Sequence, residues 1–240
     1  MARVRPAAAR VDLDRVVVMV FSVVVALPLL VFVAYPLWRI LSRSFVTPEG
    51  LGLANYLGYF GTARAWTIVG NTFAVGLTTT AITVVLAYGL AYAMHRSCMP
   101  AKGLFRLVLL MPLFAPSLVQ AQGLLLMLGR NGLVNRTFEL GIDVYGFWGI
   151  VVASVLYALP HAFLILSAAL AVADARLYES ATMLGASPAR TFRTVTLPST
   201  KYGLMSAIFI VFTIVITDFG NPMVIGGDYN VLATEMYNQV

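Results

Sequence analysis

The sequence predicts an all-α protein, a polytopic bundle of transmembrane helices. Sixty per cent of the 240 residues are hydrophobic, only 11% are charged, and the mean hydropathy is +0.87. Soluble domains carry about 25% charged residues, so this composition indicates an integral membrane protein. At roughly 20 residues per crossing, the chain has room for about five to seven crossings. We assign five complete ones and a truncated sixth.

The first apolar stretch, Val16–Leu37, predicts a retained membrane anchor. It is longer than the apolar core of a secretory signal peptide, which has about 7–15 residues. It is followed by bulky residues such as Trp38 rather than by a cleavage site of small residues. Residues 39–66 are then predicted to form a loop, with a turn at residues 48–50.

Four further stretches predict crossings, and one of them is interrupted. They are about Ile68–Ala93, Leu104–Leu128, Phe147–Ala171 and Tyr202–Thr217. Pro112 and Pro116 interrupt the third, and each removes a backbone donor and bends a helix. An amphipathic stretch begins at Val231, and we expect it to start the sixth crossing.

Loop charges predict the orientation. Eleven of the sixteen lysine and arginine residues lie in alternate segments counted from the N-terminus, and five lie in the opposite segments. Cytoplasmic loops carry the excess of basic residues. The N-terminus and residues 172–201 are therefore predicted to be cytoplasmic. Cys98 is the only cysteine, so we expect neither a disulfide nor a cysteine-based metal site.

Residues 179–198 read ESATMLGASPARTFRTVTLP and lie between two predicted crossings. Their charges and broken backbone would be unsatisfied in hydrocarbon, so the segment must protrude into water. Asp174 is placed to cap a helix that begins at Ala175. Gly185 is placed to end that helix, because glycine readily adopts positive φ.

A second short helix follows the glycine. Ser187 and Pro188 have the residue types of an N-cap and a first helical position. We predict a helix over Pro188–Val195, which Pro198 prevents from continuing into the next crossing.

Phe192 is a large apolar residue on this short helix, and Arg190 and Arg193 flank it. If Phe192 is exposed, burial in a partner would contribute about 1.5–3 kcal/mol. The arginines would meet carboxylates of that partner.

This segment resembles the cytoplasmic signature of permease subunits of ATP-binding-cassette importers, in which Glu-Ala-Ala is followed at fixed spacing by Gly, an aliphatic residue and Leu-Pro. Ser180 replaces the first alanine. The matching residues are Glu179, Ala181, Gly185, Val195, Leu197 and Pro198. The resemblance implies a type I importer-permease architecture in the bacterial inner (plasma) membrane. It also implies that residues 172–200 dock on an ATPase subunit and couple its movement to the membrane helices.

The resemblance also implies the partners. They are ABC ATPase subunits that carry ATP and Mg, a periplasmic solute-binding protein, a second permease domain (fused or separate), and membrane lipid. Because the chain has no Gly-x4-Gly-Lys-Ser/Thr motif, we expect no enzymatic activity and no bound cofactor or metal, and nucleic acid is not an expected partner. The alternative from another class is an ion-driven secondary transporter.

The resemblance divides the chain at residue 64. Residues 1–63 would form the cytoplasmic N-terminal segment, the first crossing and an outer loop, and residues 64–240 the permease core. The core would be the N-terminal half of a longer, two-repeat permease. From Tyr145 onward the chain is similar to permeases for ferric iron and 2-aminoethylphosphonate. The phosphonate is favoured over iron, and polyamine and thiamine are further alternatives.

Four polar residues are candidates for lining the translocation path: Gln120, Gln122, Asp218 and Asn221. The two glutamines lie in the proline-interrupted crossing and either face the path or hydrogen-bond across helices. Asp218 ends the fifth crossing and either lines the outer vestibule or anchors a turn with Gly220 and Pro222.

Overall fold

The computed structural model describes residues 13–48, 50–139 and 141–238, and the chain forms two compact units that meet between Ala65 and Trp66. The first unit holds, in order, α1 (Leu13–Leu29), a π-helical turn (Leu30–Ala34), α2 (Tyr35–Ser44), β1 (Val46–Thr47), β2 (Gly50–Leu51) and α3 (Ala54–Phe60). The strands form an antiparallel hairpin in which Val46 pairs with Leu51 and Thr47 with Gly50.

The helix that holds the first predicted crossing extends beyond it. One continuous helix runs over Arg15–Ser44, so the prediction that residues 39–66 form a loop is wrong for the end of α2 and for α3. Pro36 does not end it because a π turn precedes the proline, where the Tyr35 N–H donates to the Leu30 carbonyl. A widened turn is one way in which a helix accommodates a proline that lacks an N–H.

From Ala63 onward the chain is almost entirely helical. The helices are α4 (Ala63–Arg96), α5 (Lys102–Leu110), α6 (Ser117–Leu128), α7 (Leu133–Phe138), α8 (Phe147–Ala171), α9 (Ala175–Met183), α10 (Pro188–Thr191), α11 (Leu197–Ser199), α12 (Lys201–Thr217), α13 (Gly220–Ile225) and α14 (Leu232–Asn238). The predicted fourth crossing coincides with α8, and the stretch after Val231 is helical as expected.

Three helices of the described chain are long and apolar enough to cross a membrane: Arg15–Ser44, Ala63–Arg96 and Phe147–Ala171. Two bent pairs also qualify if each counts as one crossing. They are Lys102–Phe114 with Ser117–Phe138, bent by 109°, and Pro188–Ser199 with Lys201–Thr217, bent by 68°. The count of five complete crossings requires both pairs.

The third crossing is broken more sharply than a proline-bent helix. After α5 the chain makes a 3-10 turn over Met111–Phe114, and Ala115 is extended, with φ −106° and ψ 130°. Ala115 precedes Pro116, and a residue before proline is driven from helical to extended backbone. The break is therefore a local consequence of the sequence, and its angle turns the predicted single helix into two.

Helix α8 lies at the centre of the second unit. Its fully buried Ile150, Phe163 and Leu166 form a core with Val211 of α12 and Ala87 of α4. Helix α13 packs on α6 and α8. This core fixes α4, α8 and α12, which flank the polar segment described first below.

Candidate functional site

The polar segment between α8 and α12, residues 172–200, is called the coupling segment here. Its first helix, α9, is capped as predicted, because the Asp174 side chain accepts the Arg176 N–H at 2.9 Å. An aspartate at this position satisfies a backbone donor that the first helical turn leaves free.

Helix α9 ends at a glycine-dependent turn. Gly185 has φ +68°, as predicted for this position. The Gly185 N–H donates to the Thr182 carbonyl and the Ala186 N–H to the Ala181 carbonyl, each at 3.0 Å. This pair of bonds is the Schellman arrangement, which requires a left-handed residue after the helix. The turn fixes the direction in which the chain leaves α9.

The second helix of the coupling segment begins as predicted but ends later. Ser187 caps it by accepting the Arg190 N–H at 3.4 Å, and Pro188 follows in the first turn. The helix runs to Ser199, beyond its predicted end at Val195. A bend of 68° separates it from α12, so it does not continue straight into the next crossing, as predicted. A π turn over Phe192–Thr196 accommodates Pro198, as at Pro36.

The predicted exposure of Phe192 is also wrong. Its ring is half-buried and packs edge-on against Tyr88 and Tyr92 of α4, with ring centroids 5.8 and 5.5 Å apart. Such pairs contribute about 0.5–1.5 kcal/mol beyond their buried area. Phe192 therefore attaches the coupling segment to α4.

Further polar contacts join the coupling segment to the same end of α4. The Tyr88 hydroxyl shares a 2.7 Å hydrogen bond with Thr200 Oγ1. The Arg96 guanidinium lies over the Tyr178 ring, 3.5 Å from its centroid, and the Tyr178 hydroxyl donates to Thr196 Oγ1 at 3.2 Å. Together with Phe192, these contacts hold both helices of the segment against α4.

The outward surface of the coupling segment lies at the end of α9. Met183 and Leu184 are 89% and 85% exposed. They border a shallow cleft with Arg176, Glu179 and Thr182. The sequence predicts Phe192 as the apolar docking residue and gives no such role to Met183 and Leu184. The feature that could have indicated them is their position as two consecutive apolar residues immediately before Gly185.

The other predicted coupling residues divide between the two sides of the segment. Glu179, Arg190 and Pro198 are exposed, whereas Ala181 lies on the buried side of α9. Leu197 is 38% exposed. The coupling role of these residues stays a prediction.

Asp218 anchors the turn after α12. Its Oδ1 accepts the Ser117 hydroxyl at 2.6 Å and the Gly220 N–H at 3.2 Å, and its Oδ2 accepts the Asn221 N–H at 3.2 Å. The carboxylate thus joins the first turn of α6 to the first turn of α13. A Cβ on Gly220 would overlap the Ser117 hydroxyl, so this approach needs glycine. The contacts match the anchoring alternative for Asp218.

The remaining path candidates lie in different environments. The Gln120 side-chain amide donates to the Pro112 and Ala115 carbonyls at 2.6 and 2.8 Å, so it bridges the break before α6. Asn221 is fully buried, and its amide donates to Ser154 Oγ at 3.4 Å. Asn221 therefore has no exposed atom with which to line a path in this conformation.

Gln122 alone of the four is exposed and borders a cleft, of about 520 Å³, with Leu126, Arg130 and Tyr145. Arg130 pairs with Asp143 at 3.1 Å on this surface. The Tyr145 N–H and the Arg130 guanidinium, both donating to Asp143, lower the pKa of its carboxyl below the ordinary value. Arg130 and Asp143 thus remain a paired charge beside Gln122.

Comparison with known proteins decides the family. Residues 7–238 match the family model described as binding-protein-dependent transport system inner membrane component. The chain belongs to this family. Its members are inner membrane components of binding-protein-dependent transport systems. The chain spans about a third of the length of the first of the relatives below.

Two relatives and one solved structure illustrate the family. A ferric transport system permease protein of Actinobacillus pleuropneumoniae is 29% identical over 215 residues, which is 86% of this chain and 31% of that protein. A molybdenum transport system permease protein of Azotobacter vinelandii is 32% identical over 62% of this chain and 68% of its own. The crystal structure of a bacterial ABC transporter involved in the import of the acidic polysaccharide alginate has a chain that superposes with a TM-score of 0.79 at 17% identity, covering 95% of this chain and 85% of that one. The last comparison confirms the all-α permease fold.

Proposed function

We propose that this chain is a permease subunit of an ATP-binding-cassette importer, and that its coupling segment receives the movement of separate ATPase subunits. The observation that carries the proposal is the two-sided geometry of the segment. Met183 and Leu184 face outward from its end, while Phe192 and Tyr178 hold it against α4. A partner that grips the exposed pair would therefore move α4 as well.

The coupling segment is also connected to a second membrane helix, α12. The helix Pro188–Ser199 continues into α12 across the 68° bend at Thr200. Thr200 is buried and is hydrogen-bonded to Tyr88 of α4. Displacing the segment therefore acts on α4 and α12 together. Rigid-element coupling of this kind can bias a helical bundle between two states.

The partners follow from this role. ATP and Mg would be held by the ATPase subunits, a solute-binding protein would deliver solute on the opposite face, and a second permease domain would complete the path. The excess of basic residues in alternate loops supports a cytoplasmic N-terminus and coupling segment. The path itself would run along surfaces such as that of Gln122.

For the solute we propose ferric iron ahead of 2-aminoethylphosphonate, with polyamine and thiamine behind both. The relative that matches 86% of the chain is named a ferric permease, and this supports iron over the phosphonate that the sequence favoured. The other relative and the solved structure are named for molybdenum and alginate. Family membership alone therefore does not identify the solute.

Reconstituted transport tests both parts of the proposal. Proteoliposomes would contain this chain with its ATPase and second permease partners, with ATP at the ATPase side and binding protein on the other. Labelled ferric iron should be taken up only when ATP is present. Labelled 2-aminoethylphosphonate should not be taken up under the same conditions. Uptake driven by an ion gradient without ATP would support the secondary transporter instead. ATP-dependent uptake of the phosphonate alone would leave the permease role standing and refute iron as the solute.

A further inference from the structure

A small cationic cavity lies where α4 ends and α5 begins. It has a volume of about 200 Å³, and its walls include His95 at the end of α4, Lys102 and Arg106 of α5, and Ser167 of α8. Phe163 and Met94 provide apolar walls. The His95 ring is fixed in place by a 2.7 Å hydrogen bond between its Nε2 and Ser167 Oγ. The cavity is therefore built from three helices of the bundle.

The positive charge around this cavity has no acidic partner in the described chain. Lys102 and Arg106 lie one helical turn apart and share a face of α5. Neither forms an ion pair with a described residue, and residues 94–106 contain no aspartate or glutamate. Arg96 adds a third cation close enough to act on His95. An anion in the cavity would reduce the electrostatic repulsion between these cations. The side chains of Lys102 and Arg106 offer it several hydrogen-bond donors.

The surface beside the cavity is apolar and exposed. Leu104, Phe105, Leu107 and Val108 of α5 all project outward with more than half of their surface exposed. Phe163, on the cavity wall, is fully buried in the core. A ligand that fits this arrangement has a negative head and an apolar tail. A free phosphate would satisfy the cations but would leave the exposed face of α5 uncovered.

We propose that this cavity binds the phosphate headgroup of an anionic phospholipid in the cytoplasmic leaflet, with its acyl chains along α5. Basic pockets between transmembrane helices on the cytoplasmic side suit such headgroups, and each lysine or arginine near the surface strengthens binding by about fivefold. The predicted orientation places the loop between α4 and α5 in the cytoplasm. No residue that lines the cavity belongs to the coupling segment or to the cleft at Gln122.

The test uses the full chain in nanodiscs that hold equal amounts of phosphatidylglycerol and phosphatidylcholine with identical tails. Native mass spectrometry counts the lipids that stay bound after release. The wild-type chain should retain phosphatidylglycerol selectively. The Lys102→Gln/Arg106→Gln variant should lose that selectivity by about tenfold or more. The matched control, Arg190→Gln/Arg193→Gln, removes the same charge at a second site predicted to be cytoplasmic, and this chain, measured without its ATPase, should keep the wild-type selectivity for phosphatidylglycerol.

Two further arms separate the possible outcomes. The charge-preserving variant Lys102→Arg/Arg106→Lys should keep phosphatidylglycerol selectivity, so a loss caused only by misfolding is recognised. Equal selectivity in the glutamine variant and its control would overturn the proposal. So would saturable binding of radiolabelled inorganic phosphate to the delipidated chain that added phosphatidylglycerol does not displace, because the cavity would then be a free-phosphate site.

Discussion

Gly185 allows the role of the coupling segment to be tested without touching the membrane bundle. Its φ of +68° is in the left-handed region, where an L-residue with a side chain costs about 1–2 kcal/mol and a β-branched residue costs more. No atom lies within 4 Å of the position that a Cβ would take, so the cost is that of the backbone alone. Asparagine tolerates this conformation better than other side chains, which makes Gly185→Asn a matched control for Gly185→Val.

The valine variant should break the turn at the end of α9. Loss of the Ala186 N–H to Ala181 carbonyl bond would redirect α9 and move Met183 and Leu184 out of position. Because each 1.4 kcal/mol is a factor of ten, a cost of about 2 kcal/mol lowers the equilibrium constant for forming the correct turn by about thirtyfold. The membrane core is remote from this turn, so the protein should still accumulate in the membrane.

ATP-dependent uptake in proteoliposomes and copurification of the ATPase subunit measure this effect, with immunoblotting of membranes as the control for expression. We expect uptake to fall by about tenfold or more for Gly185→Val, and to stay near wild type for Gly185→Asn. Equal uptake by the valine and asparagine variants would refute the reasoning, since a coupling turn that tolerates both does not depend on its backbone conformation.

Other substitutions separate docking from stability. Leu184→Glu should leave the melting temperature unchanged but weaken ATPase copurification about tenfold or more, because a buried leucine contributes about 1.5–3 kcal/mol to an interface. Phe192→Ala should lower the free energy of unfolding of the purified chain by about 2 kcal/mol and should affect ATPase copurification less. The expected loss is smaller than for a fully buried phenylalanine because Phe192 is only partly buried. Asp218→Asn and Ser117→Ala should each lower the melting temperature, and a double-mutant cycle should give a coupling energy of about 0.5–3 kcal/mol. Strict additivity of the last pair would show that their 2.6 Å hydrogen bond does not join α6 to α13.

Features governed by neighbouring residues could be predicted from the sequence. The caps at Asp174 and Ser187 and the positive φ of Gly185 depend on local hydrogen bonding and backbone sterics, and all three are confirmed. The long uninterrupted stretch Phe147–Ala171 is likewise found as a single helix. Local chemistry decides these features before any tertiary contact forms.

Irregular helical turns and contacts between distant residues could not be predicted. The second helix of the coupling segment is predicted to end at Val195, but a π turn precedes Pro198 and the helix runs to Ser199. A π turn likewise precedes Pro36 within the helix Arg15–Ser44. Phe192 turns inward because Tyr88 and Tyr92 of α4 stand opposite it, 100 or more residues away in sequence. The residues around Phe192 in the sequence do not predict its contact with these two tyrosines.

The candidate path residues illustrate the same limit. The sequence shows that Gln120 and Asp218 are polar groups near crossings, but not which groups accept or donate to them. Gln120 bonds carbonyls freed at a proline break, and Asp218 bonds the ends of two helices that are distant in sequence. Polar residues in a membrane helix therefore need a structure before anchoring is distinguished from lining a path.

Site-directed labelling at the end of α9 tests the central claim most directly. A Leu184→Cys variant would be made in a Cys98→Ser background, because Cys98 is exposed, with Phe138→Cys of α7 as the control for the opposite face. In sealed membrane vesicles of known orientation, Leu184→Cys should react with an impermeant maleimide only from the cytoplasmic side and should crosslink to the ATPase subunit. Labelling of Leu184→Cys from the outer side, or its failure to crosslink to the ATPase in an assembled transporter, would contradict the account.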